Sequence, residues 1–168
     1  MKYLLIGGAP NVGKSETIWQ AAQNLINNGF TIVAGSIQPP PMPTVNSFPD
    51  FKIIVEGVNK LGDTVWILIN SATDDPQKID ELKQFFEDNK RFDVSIIITS
   101  VRDGAGNLFW PRPDFFTKMN IIVPQDFFVE IPLARITRIN DKDVALNWYR
   151  NANTRLIEYT LSNVPYNV

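Results

Sequence analysis

Eight residues near the start of the chain have the types and spacing to hold phosphate: Gly8-Ala9-Pro10-Asn11-Val12-Gly13-Lys14-Ser15. An apolar run, Tyr3-Leu4-Leu5-Ile6, leads into them, and a helical pattern through Ile18, Ala21, Ala22, Leu25 and Ile26 leads out. A chain that leaves a buried strand and at once starts a helix must turn sharply. Gly7, Gly8 and Gly13 permit the backbone angles such a turn needs. The turn aims several N–H groups into one concavity. The helix after it contributes its own unpaired N–H groups and the positive end of its dipole. Lys14 supplies a full charge for the outer phosphates, and Ser15 a hydroxyl able to ligate Mg²⁺ between phosphate oxygens. The expected phosphate-binding stretch is therefore Gly8, Ala9, Pro10, Asn11, Val12, Gly13, Lys14, Ser15 and Glu16, with Lys14 as the expected catalytic cation.

Gly, four residues, then Gly-Lys-Ser, set between a strand and a helix, resembles the P-loop nucleoside triphosphate hydrolase superfamily. The resemblance rests on residues 8–15 and reaches no further than the flanking strand and helix. It implies a three-layer α/β/α sandwich, a mostly parallel sheet, and Mg²⁺ with ATP or another NTP as the ligand. It implies no particular reaction, since one fold hosts many.

Turnover needs more than a phosphate cradle: an acid that directs the metal, and a group that orients the attack or stabilises the transferring phosphoryl. In proteins of this superfamily that acid terminates an apolar strand. Here the run Val65-Trp66-Ile67-Leu68-Ile69 ends in Asn70-Ser71, and the next acid is Asp74. Asp74 is the first candidate for catalysis and for the metal, with Asp75 read as a helix cap. Glu56, after Ile53-Ile54-Val55, is a second metal candidate, and Asp103 a third. Thr99 and Ser100 end another apolar run, where such proteins keep a polar residue near the γ-phosphate. Arg102 and Arg112 flank the segment beyond it and are candidates for contacting phosphate. Two fragments, Asn59-Lys60-Leu61-Gly62 and Asp103-Gly104-Ala105-Gly106, resemble guanine-nucleotide motifs. They stand in the wrong order and the first lacks its decisive acid, so the reading leans to ATP.

The whole chain narrows the chemistry further. Its 168 residues suit one domain spanning 1–168. There is no cysteine, which removes disulfides and thiol chemistry, and no histidine, which removes His bases and most zinc sites. Phosphoryl transfer survives both losses, because it depends on positioning, cations and a carboxylate or oriented water. A net charge of −2 does not suggest a nucleic-acid partner. The first apolar run is too short for a signal peptide, and no stretch is long enough to span a membrane, so a cytoplasmic protein is expected.

The elements that position these residues can be read in order. Residues 2–7 form a strand and 14–28 a helix, ended by Gly29. Residues 31–37 form a second strand, giving one parallel βαβ unit. Pro39-Pro40-Pro41-Met42-Pro43 opens a stiff loop that reaches Asp50, or a lid near the nucleotide. Residues 51–70 form an antiparallel hairpin, since the connection 59–62 is too short for a crossover helix. A helix over 76–90 starts from Asp75 and Pro76, and 92–100 is a buried strand. Residues 101–120 read as irregular, and 121–139 as one or two short strands. A last helix, 141–162, has Val144, Ala145, Trp148, Ala152, Leu156 and Tyr159 towards the core. The fold class is α/β.

Two functions fit. The first is a Mg²⁺-dependent NTPase or small phosphotransferase of unknown acceptor. The second is a switch or interaction module in which nucleotide orders a segment that a protein partner reads. The missing strand-end acid favours the second. An ATPase of DNA processing is a weaker third reading.

Overall fold

The computed structural model describes residues 1–8, 12–41, 44, 49–102, 112–122, 125–133 and 142–168, with 112, 113, 142 and 143 as backbone only. Successive strand side chains point to opposite faces of a sheet, so a strand buried on both faces must be apolar throughout. The first strand, β1 (Lys2–Gly8), meets this condition. Leu4 and Ile6 enter one apolar cluster, while Tyr3 and Leu5 enter another on the opposite face.

The other elements are α1 (Lys14–Asn27), β2 (Thr31–Ile32), β3 (Lys52–Val58), β4 (Thr64–Asn70), α2 (Pro76–Asp88), β5 (Val94–Arg102), α3 (Arg112–Lys118), β6 (Phe127–Pro132) and α4 (Lys142–Leu161). The six strands form one mixed sheet in the order β2-β3-β4-β5-β1-β6. β4, β5, β1 and β6 run parallel, and β3 is antiparallel to both β2 and β4. The chain is thus α/β, with the expected hairpin over 51–70. Ile18, Ala21, Ala22 and Leu25 of α1 and Ile157 and Leu161 of α4 join the cluster of Leu4 and Ile6. Ile79, Leu82 and Phe85 of α2 and Phe115 of α3 join that of Tyr3 and Leu5. Each fully buried aliphatic side chain contributes on the order of 1.5–3 kcal/mol relative to exposure.

Local chemistry sets several boundaries as expected. The Asp75 carboxylate accepts from Lys78 N–H at 2.9 Å, and Pro76 follows as the first helical residue. At the hairpin tip the Asn59 carboxamide oxygen accepts from the N–H groups of Leu61 and Asp63, both at 2.9 Å. The Asn59–Gly62 fragment is therefore turn chemistry, at the end of the sheet away from Gly8. Among the described residues, no helix is long and apolar enough to cross a membrane.

Three expectations need correction. The strand over 31–37 shrinks to Thr31–Ile32; it points the same way as β1, as a βαβ unit requires, but lies at the sheet edge paired antiparallel with β3, with three strands between it and β1. The span 101–120 is not wholly irregular: β5 runs on to Arg102 and α3 begins at Arg112. The last helix forms, but Val144, Trp148, Ala152, Leu156 and Tyr159 are exposed and Ala145 is only half-buried, while Ile157 and Leu161 face the core. A helix with apolar residues on two sides can turn only one of them to the sheet.

Candidate active site

β1 and β5 end side by side, with Gly8 opposite Arg102 in the parallel register. Gly8 has φ +149°, which side chains resist, and a Cβ there would lie 2.8 Å from Val12 Cγ2 and 3.2 Å from the Leu133 carbonyl oxygen. Gly13 has φ +92° and directly precedes α1, with nothing within 4 Å of where its Cβ would be. Gly7 does not use this freedom. It stays within the strand, and a Cβ there would meet the Glu130 carboxylate at 2.6 Å.

Lys14 is the first residue of α1 and only 6% exposed. Its ammonium donates to the Gly8 carbonyl at 3.2 Å and lies 3.6 Å from Asp74 Oδ1. Burial pushes the ammonium below its usual pKa of 10.5; the nearby Asp74 carboxylate opposes this, and the Arg102 charge adds to it. A cation held at a helix start, where backbone N–H groups also collect, makes a site for an anion with more than one charge.

Asp74 reaches Lys14 because its loop is tied to β5. The Thr73 N–H donates to Ser100 Oγ at 3.1 Å, and the Thr73 hydroxyl donates to the Ser100 carbonyl. Below it, Asn70 Nδ2 donates to the Ala72 carbonyl at 2.8 Å and to Thr99 Oγ1 at 2.9 Å. Arg102 Nη1 donates to the Asp74 carbonyl at 3.4 Å. Three buried polar atoms here have no hydrogen-bond partner: Asp74 Oδ1, Asn70 Oδ1 and Arg102 Nε. Asn70 and Arg102 end the neighbouring strands β4 and β5, and Asp74 Oδ1 faces the Lys14 ammonium at 3.6 Å.

The structure therefore brings Lys14, Asp74 and Arg102 together. It separates Glu56 from them. Glu56 pairs with Thr31 and Trp66 near the start of the parallel strands, roughly 20 Å along the sheet at about 3.3 Å per residue. Its side chain is exposed there because β3 runs antiparallel. Glu16 turns from the loop to α4, where Arg150 Nε meets its carboxylate at 3.0 Å. Val12 packs against the α1 side of the core. Ala9, Pro10, Asn11 and Asp103 lie outside the described residues, as does the side chain of Arg112. Thr99 and Ser100 are both fully buried; the Thr99 hydroxyl accepts from Asn70 at the end of β4, and the Ser100 hydroxyl accepts from Thr73 in the loop that carries Asp74. Thr73, which ties the Asp74 loop to β5, is a positioning residue that the sequence alone does not reveal. A Thr next to a candidate acid gives no signal unless its partner 27 residues away is known.

Ser15 and Asp74 are the side chains here that could hold a metal ion beside a bound phosphate. Ser15 follows Lys14 on the first turn of α1, and Asp74 Oδ1 lacks a hydrogen-bond partner beside Lys14. Among the described residues no group of three or more acidic, His or Cys side chains could hold a metal unaided. Compared with protein-family models, with curated proteins and with solved structures, the chain finds no match.

Proposed function

We propose that the protein binds a nucleoside triphosphate, ATP for preference, with Mg²⁺ at the loop 8–15, in a P-loop fold of three α/β/α layers. The observation that carries this is the buried Lys14 ammonium at the start of α1, held against Gly8 and Asp74. A buried cation beside a half-exposed carboxylate is poised to exchange that partner for phosphate. Phosphate would engage Lys14 and the N–H groups at the start of α1, while Ser15 and Asp74 would hold the metal. Bound there, Mg²⁺ would offset charge on the phosphates. Arg102, at the same strand end, would neutralise charge on the transferring group.

Two readings of the consequence remain: turnover, as an NTPase or small phosphotransferase, and a switch that binds nucleotide with little turnover. One observation favours the switch. β4 ends in Asn70, whose amide group is committed to Ala72 and Thr99, and not in a carboxylate. The proline segment starts from the Gln38–Lys52 bridge, and Lys52 is level with Asn70, so its root lies at the nucleotide end of the sheet.

Thermal melting with ATP, GTP and ADP, each with and without Mg²⁺, tests the binding, because a ligand of the native state raises stability by mass action. We expect the largest shift with Mg²⁺-ATP. No shift with any nucleotide overturns the proposal. Phosphate release on the best ligand then separates turnover from switching.

A further inference from the structure

The outward face of α4 is apolar where a solvated helix is polar. Val144 is 71% exposed, Trp148 70%, Leu156 47% and Tyr159 70%. With the exposed Ala152 between them, they fall within about 120° of the helix circumference at 3.6 residues per turn. The opposite side of α4 is already used, since Ile157 and Leu161 are buried in the core. This is a stripe along a 20-residue helix rather than scattered single residues.

We infer that the stripe pairs with a second copy of this chain, with the two α4 helices antiparallel about a two-fold axis at Ala152. The order of residues carries the choice of partner. An isologous contact requires a patch complementary to itself. Trp148 and Leu156 lie four residues either side of Ala152, and Val144 and Tyr159 eight and seven. A two-fold axis there sets Trp148 beside Leu156 of the second copy, and Val144 beside Tyr159 of the second copy. Each contact then occurs twice. The small Ala152 at the centre lets the helices approach closely. Arg155, the one charge within the arc, falls next to Trp148 of the second copy, where a guanidinium can lie over the indole face.

The area fits a reversible pair. Aromatic side chains bury about 150–250 Å² each, so Trp148 and Tyr159 at 70% exposure offer about 200–350 Å² per copy, and with the smaller Val144 and Leu156 the two copies together reach about 1,000 Å² at most. That reaches the lower bound for a specific interface.

Sedimentation equilibrium of the full chain from about 1 to 200 µM tests the pairing. A monomer–dimer equilibrium is expected, and Trp148→Glu is expected to weaken it at least tenfold, with an unchanged circular dichroism spectrum. Leu156→Lys provides the same test should Trp148→Glu fail to fold. The chain has no cysteine, so single cysteines report geometry cleanly. Ala152→Cys should be cross-linked to a dimer by a short bismaleimide, and Asn147→Cys, exposed on another side of α4, should not. A protein monomeric at the highest concentration overturns the inference. So does a dimer indifferent to both stripe variants, or equal cross-linking at both positions.

Discussion

α1 and α4 lie on the same face of the sheet and share one apolar cluster, yet they use their remaining surface in opposite ways. α1 buries Ile18, Ala21, Ala22 and Leu25 and turns polar residues outward, so its stripe is fully used by the core. Its free resource is its N-terminus, where Lys14 waits. α4 buries Ile157 and Leu161 and leaves a second apolar stripe outside. On our reading, one helix serves the fold and a small ligand, and the other serves the fold and a second copy. Amphipathicity thus reports how many surfaces a helix must satisfy, and the core is only one of them.

The largest effect expected is on the two sides of α4. Ile157→Ala removes a side chain that is 1% exposed and should cost about 2–4 kcal/mol. At about 2–4 °C per kcal/mol for a chain of this size, the melting temperature should fall by roughly 5–15 °C. Trp148→Ala, measured at concentrations where the protein is monomeric, should change stability by no more than about 0.5 kcal/mol. Equal losses from the two would show that the outer stripe packs within the monomer, and the contrast between the helices would disappear.

α1 gives the next test. Lys14→Met should weaken nucleotide binding on the order of 100-fold, because it removes a charge-assisted contact to phosphate. It should not destabilise the fold, since the native site already disfavours the ammonium through burial. Calorimetric titration and thermal melting read the two quantities separately. A variant that melts well below the parent would make Lys14 a structural residue, and α1 would then resemble α4.

Asp74→Asn should act in two directions, each about tenfold. Without the carboxylate 3.6 Å away, phosphate has one competitor fewer for the Lys14 ammonium, so Mg²⁺-free nucleotide should bind more tightly. The gain that Mg²⁺ brings should shrink, because a metal ligand is lost. A gain from Mg²⁺ that the substitution leaves unchanged would exclude Asp74 from the metal.

The pH dependence follows from the same residue. Lys14 must be protonated to attract phosphate, and its pKa lies below 10.5. Affinity should therefore fall severalfold as pH rises, starting on the acid side of 10.5. Stability has the opposite sign. Between the lowered pKa and 10.5 the unfolded chain holds a proton that the native chain has released, so the Lys14 contribution to stability grows with pH. Isothermal titration in buffers of different ionisation enthalpy should show proton uptake on nucleotide binding in that window. Absence of uptake would mean that Lys14 keeps its charge throughout.

What was legible in the sequence divides along the same line. The backbone demands at the two ends of the loop could be read because the signal is local: Gly8 and Gly13 take positive φ and Lys14 opens α1. α2 could be read because Asp75 and Pro76 mark its start. The strand 31–37 was overread because β-branched residues show that a segment suits a sheet, not which strand it will meet. Asp74 could be named but not placed. Its position depends on Thr73 holding Ser100 across two elements, a contact without periodicity or spacing. α4 was legible as a helix but not in its orientation. Two apolar stripes on one cylinder are equivalent until the sheet, and a partner, select between them.

The smallest expected effect concerns the seam between the two helices. Arg150 Nε meets Glu16 Oε1 at 3.0 Å, and the Thr154 hydroxyl donates to Gln20 Oε1 at 2.5 Å, so the first turns of α1 are tied to the middle of α4. Arg150 is 47% exposed, and an ion pair that meets water contributes only about 0–1 kcal/mol. Arg150→Ala should thus lower stability by less than about 1 kcal/mol. Its value lies in a second readout. Glu16 sits two residues after Lys14, so freeing it leaves an unpaired carboxylate close to the anion site. Nucleotide affinity should fall by about twofold to threefold at low salt and recover as salt screens the charge. The double variant Arg150→Ala/Glu16→Gln should restore it. A loss that salt does not reverse would mean that the seam acts by holding the helices in register, and the site would then depend on α4 for its shape as well as its charge.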